Sequence, residues 1–254
     1  MQILWLRSAG LAAVLGLAAC VTRVPETPAP VARSGVPANP GSWRALIVAA
    51  NDREPVFDAA RRTLETDLQR LGVAASAIES LSAAGDDGRP RASPAALTQA
   101  ATRLASVPAD RCLVFLTSHG NQRGLELTAS RSRYSSEALD QLVDRACGSL
   151  PTVVVVSACY SGVFADPPVP RPNRIVATAA QRDRTSFGCS HTRTYTVYDG
   201  CLIEALRIGG GWVQLFGRVK TCVEAEERTL GVRLPSNPQL VVGAGVAILT
   251  APRP

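Results

Sequence analysis

Four short apolar runs constrain the fold more than any other feature of the sequence: RALIVAA at 44–50, CLVFLT at 112–117, TVVVVS at 152–157 and IVATA at 175–179. They are rich in β-branched residues and none alternates apolar with polar, which predicts strands buried on both faces. Helical patterns separate them. Phe57, Ala60, Leu64, Leu68 and Leu71 recur at spacings of three and four, with Pro55 suited to a first turn and Gly72 to a stop. Ser93 and Pro94 read as the cap and first residue of a helix whose inner face is Leu97, Ala101, Leu104 and Val107. Further helices are expected over 136–146, 199–206 and 212–230, with a weaker strand at 73–81 and a last one at 240–242. Gly209, Gly210 and Gly211 follow no strand, so they read as a turn between helices rather than a phosphate-binding loop. Strands alternating with helices predict an α/β, three-layer sandwich with a mostly parallel central sheet, formed by one domain over residues 43–254.

The 254 residues are 46% hydrophobic and 19% charged, enough apolar material for one sizeable core, and disorder throughout is excluded. The net charge is +6, and Lys220 is the only lysine among 27 basic residues. The arginines are scattered rather than gathered on one element, and aromatics make up only 5%. No nucleic-acid partner is expected from that pattern.

Residues 1–19 carry Arg7 and then an apolar run of about a dozen residues, which fits a secretory signal and is shorter than the ~20 residues of a membrane span. Leu17, Ala18, Ala19 and Cys20 resemble a bacterial lipobox, implying cleavage before Cys20 and lipidation of its thiol. Residues 20–42 hold five prolines and no apolar periodicity, as expected of an extended lipidated tether. The resemblance implies a lipid-anchored protein of the bacterial cell envelope, attached to the membrane through Cys20. Val21 in place of an aspartate points to the periplasmic face of the outer membrane.

In an open α/β sheet the reactive groups gather at the carboxyl ends of the strands. His119 follows the run ending at Thr117, and Cys159 follows the run ending at Ser157. Were these strands neighbours, ~4.8 Å apart, thiol and imidazole would project into one crevice and could act as nucleophile and acid–base partner. Gly120 and Gly162 beside them would let backbone approach a substrate closely. His191 is the rival base, but it lies in a polar segment with no strand tip directly before it.

VFLTSHGNQRGLEL (114–127) resembles the catalytic-histidine segment of the legumain family of cysteine endopeptidases, whose fold is shared with caspases. VVVVSACYSG (153–162) resembles that family's catalytic-cysteine segment, and IVATAAQRDRTSFGC (175–189) its substrate-pocket strand and loop. With Asn51–Arg53 after the first strand, the likeness spans most of residues 44–208. It implies Cys159 as nucleophile, His119 as proton shuttle, and the backbone N–H groups of Gly120 and Cys159 as oxyanion donors. Asn51 would orient the histidine, a position that also suits a helix-entry cap. Arg53 and Asp199 would be the basic and acidic walls of the pocket for the residue before the scissile bond, with Thr185 and Ser186 on its rim.

One departure stands out. Legumains carry an acidic residue two positions before the cysteine, where this chain has Ser157. The expected pocket is more positive and more tolerant of aspartate relative to asparagine. The implied activity is cleavage of a peptide or protein substrate after Asn or Asp, without a cofactor. A non-catalytic, peptide- or envelope-protein-binding member of the same fold is the alternative. No GxSxG elbow supports a serine hydrolase, and no close CxxC or HxxxH spacing supports a metal site. Positions allow bridges Cys112–Cys147 and Cys201–Cys222, which would leave Cys189 free; the sequence leaves other pairings open.

Overall fold

The apolar runs become the middle of a six-stranded sheet. In a computed structural model, residues 41–85, 88 and 90–253 are described; the expected signal, Cys20 and all but the end of the tether lie outside them. The strands are β1 (Trp43–Ala49), β2 (Ile78–Ser82), β3 (Arg111–Thr117), then β4 (Gly120–Asn121), β5 (Gly124–Leu127) and β6 (Ser132–Tyr134), followed by β7 (Thr152–Ser157), β8 (Arg174–Thr178) and β9 (Gln239–Val242). The central sheet runs β2-β1-β3-β7-β8-β9, while β4, β5 and β6 form a small antiparallel sheet of their own. All pairs of the central sheet are parallel except β8 with β9.

Alternate residues of each buried strand serve opposite faces, as the pleat requires. Ala45, Ile47, Leu113, Phe115, Val153 and Val155 pack in one apolar cluster with α1 (Pro55–Arg70), α4 (Val197–Ile208) and α5 (Trp212–Thr229). Leu46, Val48, Val114, Leu116, Val154 and Val156 pack in the other with α2 (Pro94–Ala105) and α3 (Ser136–Cys147). Both faces are therefore covered by helices, giving the three layers read from the sequence. Ser93 caps α2 by accepting from the Ala96 N–H at 3.2 Å, and Gly72 follows α1 with a φ of +87°.

Two features of the strands have simple causes. Residues 75–77 form a short 3-10 turn, so the second strand starts only at Ile78. Two helices, α4 and α5, separate β8 from β9. An even number of helical passes returns the chain on the side it left, so β9 runs antiparallel.

Two disulfides tie helices to their neighbours. Cys112–Cys147 joins the start of β3 to the end of α3, and Cys201–Cys222 joins α4 to α5. Buried Arg174, at the start of β8, adds a polar tie. Its guanidinium meets Asp140 and Asp144 of α3, each at 2.6 Å, and donates to the Val169 carbonyl at 2.8 Å. No helix among the described residues is long and apolar enough to cross a membrane.

Candidate active site

The register of the two central strands places the reactive groups. Thr117 of β3 lies directly opposite Ser157 of β7, and the Ser118 N–H donates to the Ser157 carbonyl at 3.1 Å. His119 and Cys159 each stand two residues beyond those partners, on adjacent tips, and both are half-buried. The two tips touch through Gly120. A Cβ at that position would stand 2.6 Å from the Cys159 carbonyl oxygen and 3.1 Å from the Ala158 Cβ. Only a glycine lets the chain after the histidine lie that close to the backbone of the cysteine.

On its other side the Cys159 sulfur faces the loop after β8. The Ser186 N–H points at Sγ from 3.4 Å, with the Ser186 hydroxyl at 3.6 Å and its carbonyl at 3.5 Å. Tyr160 donates its N–H to the Arg184 carbonyl at 2.7 Å, so the same loop, which also holds Thr185, is fixed to the residue after the thiol. Tyr160 has a φ of +58°, a left-handed conformation uncommon outside glycine that turns the chain sharply past Cys159. The rings of Phe57 and His119 meet at near right angles, with centroids 5.0 Å apart.

Beneath the tips lies Asp199, at the N-terminal turn of α4 and fully buried. Oδ2 accepts from the Thr117 hydroxyl at 2.8 Å, whereas Oδ1 has no hydrogen-bond partner among the described residues. Burial pushes this carboxyl up to about 6, against the opposing pull of the Ser157, Thr117 and Thr196 hydroxyls. Ser157 thus keeps a hydroxyl beside the carboxylate, where an acidic residue would add a second negative charge.

The remaining expected residues divide. Asn51 is buried, but its amide donates to Glu126 at 3.2 Å and its side-chain oxygen accepts from the Arg53 N–H at 2.9 Å; these bonds do not run to the imidazole. Arg53 is 70% exposed and reaches Glu126 at 3.7 Å, turned toward the β4–β6 hairpin rather than toward Asp199. His191 is 72% exposed and faces Glu54 at 3.2 Å, on the surface rather than at a strand tip. Cys189 is free, and its thiol is pushed up to about 12 by burial first and then by the neighbouring Cys159, Asp199 and Glu54. It therefore stays protonated at neutral pH and is no rival nucleophile.

Glu126 is the residue that sequence reasoning missed. Besides Asn51 and Arg53 it faces Arg133 at 3.7 Å, and its backbone N–H donates to the His119 carbonyl at 2.9 Å. The only signal was its place as the single charged residue between Leu125 and Leu127.

A thiol and an imidazole on abutting strand tips, above a buried polar floor, suit acyl transfer through sulfur. The fold superposes on a solved structure. The crystal structure of caspase-1 from Spodoptera frugiperda superposes with a TM-score of 0.57 at 16% identity, over 80% of this chain and 87% of that one. The fold is caspase-like. Residues 93–208, which include His119 and Cys159, match the Peptidase C13 family. No curated protein matches the sequence. The family match covers the segment that carries His119 and Cys159, and the structural likeness shows the fold. The C13-like region also contains Ser157, Thr185, Ser186 and Asp199, and leaves Asn51 and Arg53 before its start.

Proposed function

We propose that the protein is a cysteine endopeptidase of the bacterial cell envelope, anchored through lipid on Cys20, which cleaves peptide bonds after Asn or Asp with a Cys159–His119 dyad. The observation that carries this reading is the packing of the His119–Gly120 segment on the backbone of Cys159. The two disulfides support an oxidising compartment.

In the proposed reaction the Cys159 sulfur attacks the carbonyl carbon of the scissile bond after giving up its proton to His119. Negative charge then develops on the carbonyl oxygen, where the N–H groups of Gly120 and Cys159 are the available donors. Collapse breaks the C–N bond as His119 returns the proton to the amine. Water, deprotonated by the same imidazole, hydrolyses the thioester and frees the sulfur. The side chain before the scissile bond would enter beside Ser186 and Thr185, toward Ser157 and Asp199. An asparagine amide is a donor suited to the unpartnered Asp199 Oδ1.

A peptide carrying a thiol-reactive group after Asn tests the reading. Labelling confined to Cys159, abolished in Cys159→Ala and strongly slowed in His119→Ala, is the expected result. Equal labelling in His119→Ala would remove the dyad, and capture of peptide without labelling or turnover would favour the non-catalytic alternative.

A further inference from the structure

Acyl transfer gives the site two sides. The acyl half of the substrate stays on Cys159, and the amine half departs past the imidazole that protonates it. Beyond His119 the chain turns at once into the β4–β6 hairpin. That hairpin is bolted to the histidine: the Glu126 N–H donates to the His119 carbonyl at 2.9 Å, and the Ser118 hydroxyl donates to the Glu126 carbonyl at 2.8 Å. A cavity of about 430 Å³ opens there, lined by Asp52, Arg53, Glu126, Thr128, Arg131 and Arg133 among others.

Its charges do not balance. Asp52 is engaged from outside the cavity by Arg91 at 3.0 Å. Glu126 is then the one remaining carboxylate, shared by Arg53 and Arg133 at 3.7 Å each, too long for the bidentate contact that guanidinium and carboxylate favour. Arg131 has no ion pair among the described residues; it is held at a φ of +52° where the turn at 128–130 ends. The cavity thus presents three guanidiniums to one carboxylate. Their exposed, loosely paired state leaves them free to turn toward an incoming anion.

We propose that this cavity is a subsite for an acidic side chain on the leaving-group half of the peptide substrate. The inference rests on the peptidase reading for its orientation, since it is the proton-donating imidazole that marks the departing side. It assigns Arg131 and Arg133, with Arg53, to the selection of substrate residues on the carboxyl side of the scissile bond.

The test uses peptide pairs identical up to the scissile bond and carrying either Glu or Gln within the next three residues. Wild-type protein should show a kcat/KM for the Glu peptide about fivefold above that for the Gln peptide, the size expected of one exposed charge pair. Arg131→Glu and Arg133→Glu should each bring that ratio to one or below. Lys220→Glu, on α5, makes the same change in charge and should leave the ratio as it is. A wild-type ratio of one, or equal ratios in wild type and both arginine variants, would overturn the subsite. Binding of the same pairs to Cys159→Ala, measured by fluorescence anisotropy, supplies a readout independent of turnover. Preference for Glu there that is lost on either arginine reversal supports the subsite even where cleavage fails, and equal binding of both peptides overturns it.

Discussion

Gly120 leaves no room for a side chain above the Cys159 carbonyl, since a Cβ there would stand 2.6 Å from the oxygen. That closeness joins the tips of β3 and β7, the segments whose Gly120 and Cys159 N–H groups are the proposed oxyanion donors. Gly120→Ala must push the segments apart. The expected outcome is a fall in kcat on the order of 10²-fold, as for the loss of one oxyanion donor. Circular dichroism should show the fold retained. An alanine variant with near wild-type turnover would show that the reaction does not need the two tips this close.

The Arg174 cluster should show how unequal two ion pairs to one guanidinium can be. Asp140, held by Arg171 at 2.6 Å as well, is buried, whereas the Asp144 side chain is 44% exposed. Removing Asp140 leaves the buried Arg174 guanidinium with the half-exposed Asp144 alone, so Asp140→Ala should cost about 3 kcal/mol in urea unfolding. Asp144→Ala should cost about 1 kcal/mol or less, because solvent replaces much of what is lost. Equal costs would mean that water reaches both carboxylates alike.

The bridge between Cys112 and Cys147 closes a segment with a sequence separation of 35, and that between Cys201 and Cys222 one of 21. Chain-entropy arithmetic assigns each about 3–4 kcal/mol. Paired substitution of either set by alanine should therefore lower the unfolding free energy by that amount. Cys112 and Cys147 lie at the amino-end edge of the sheet, so kcat should be little changed by their loss while the variant stays folded.

How much could be read from the sequence depends on how locally each feature is encoded. β3 and β7 announce themselves because a strand buried on both faces needs an unbroken run of apolar side chains. The positions of His119 and Cys159 then come from equal distances past Thr117 and Ser157. The direction of β9 is written nowhere in Gln239–Val242; it depends on two intervening helices. The β4–β6 hairpin hides because its strands are short and partly polar, held by Gly124 at a φ of +123° against the backbone of Tyr134. Glu126 and the arginines around it become a site only after that hairpin has folded over the end of β1. Asn51 and Arg53 were expected at the imidazole and the pocket, yet their partner is Glu126, which no local pattern connects to them.

Asp199 makes stability depend on pH in a definite direction. Its carboxyl titrates near 6 in the fold, against an ordinary value of 3.8. The folded state therefore holds the proton more tightly than the unfolded chain does. This group's contribution is fully present below about pH 3.8 and is lost as pH rises through about 6. Asp199→Asn cannot ionise and should gain on wild type by about 3 kcal/mol at pH 8, with no gain at pH 3.5. Urea titrations at the two pH values measure the difference, and an unchanged gap would show that the carboxyl does not titrate in that window.

The same carboxyl should set how the residue before the scissile bond is chosen. Charged, Asp199 accepts from an asparagine amide and repels an aspartate; protonated, it can donate to either side chain. The kcat/KM ratio of Asp over Asn substrates should therefore rise as pH falls through about 6. The substrate aspartate loses its own charge only near ~4, which gives a second rise at lower pH. Asp199→Asn separates the two, because it should abolish the step near 6 and keep the lower one. Ser157→Glu should act in the opposite sense, adding negative charge beside Asp199 and depressing Asp cleavage at every pH above about 6. A ratio that is flat between pH 5 and 8 in wild type would mean that the floor of the pocket does not face the substrate.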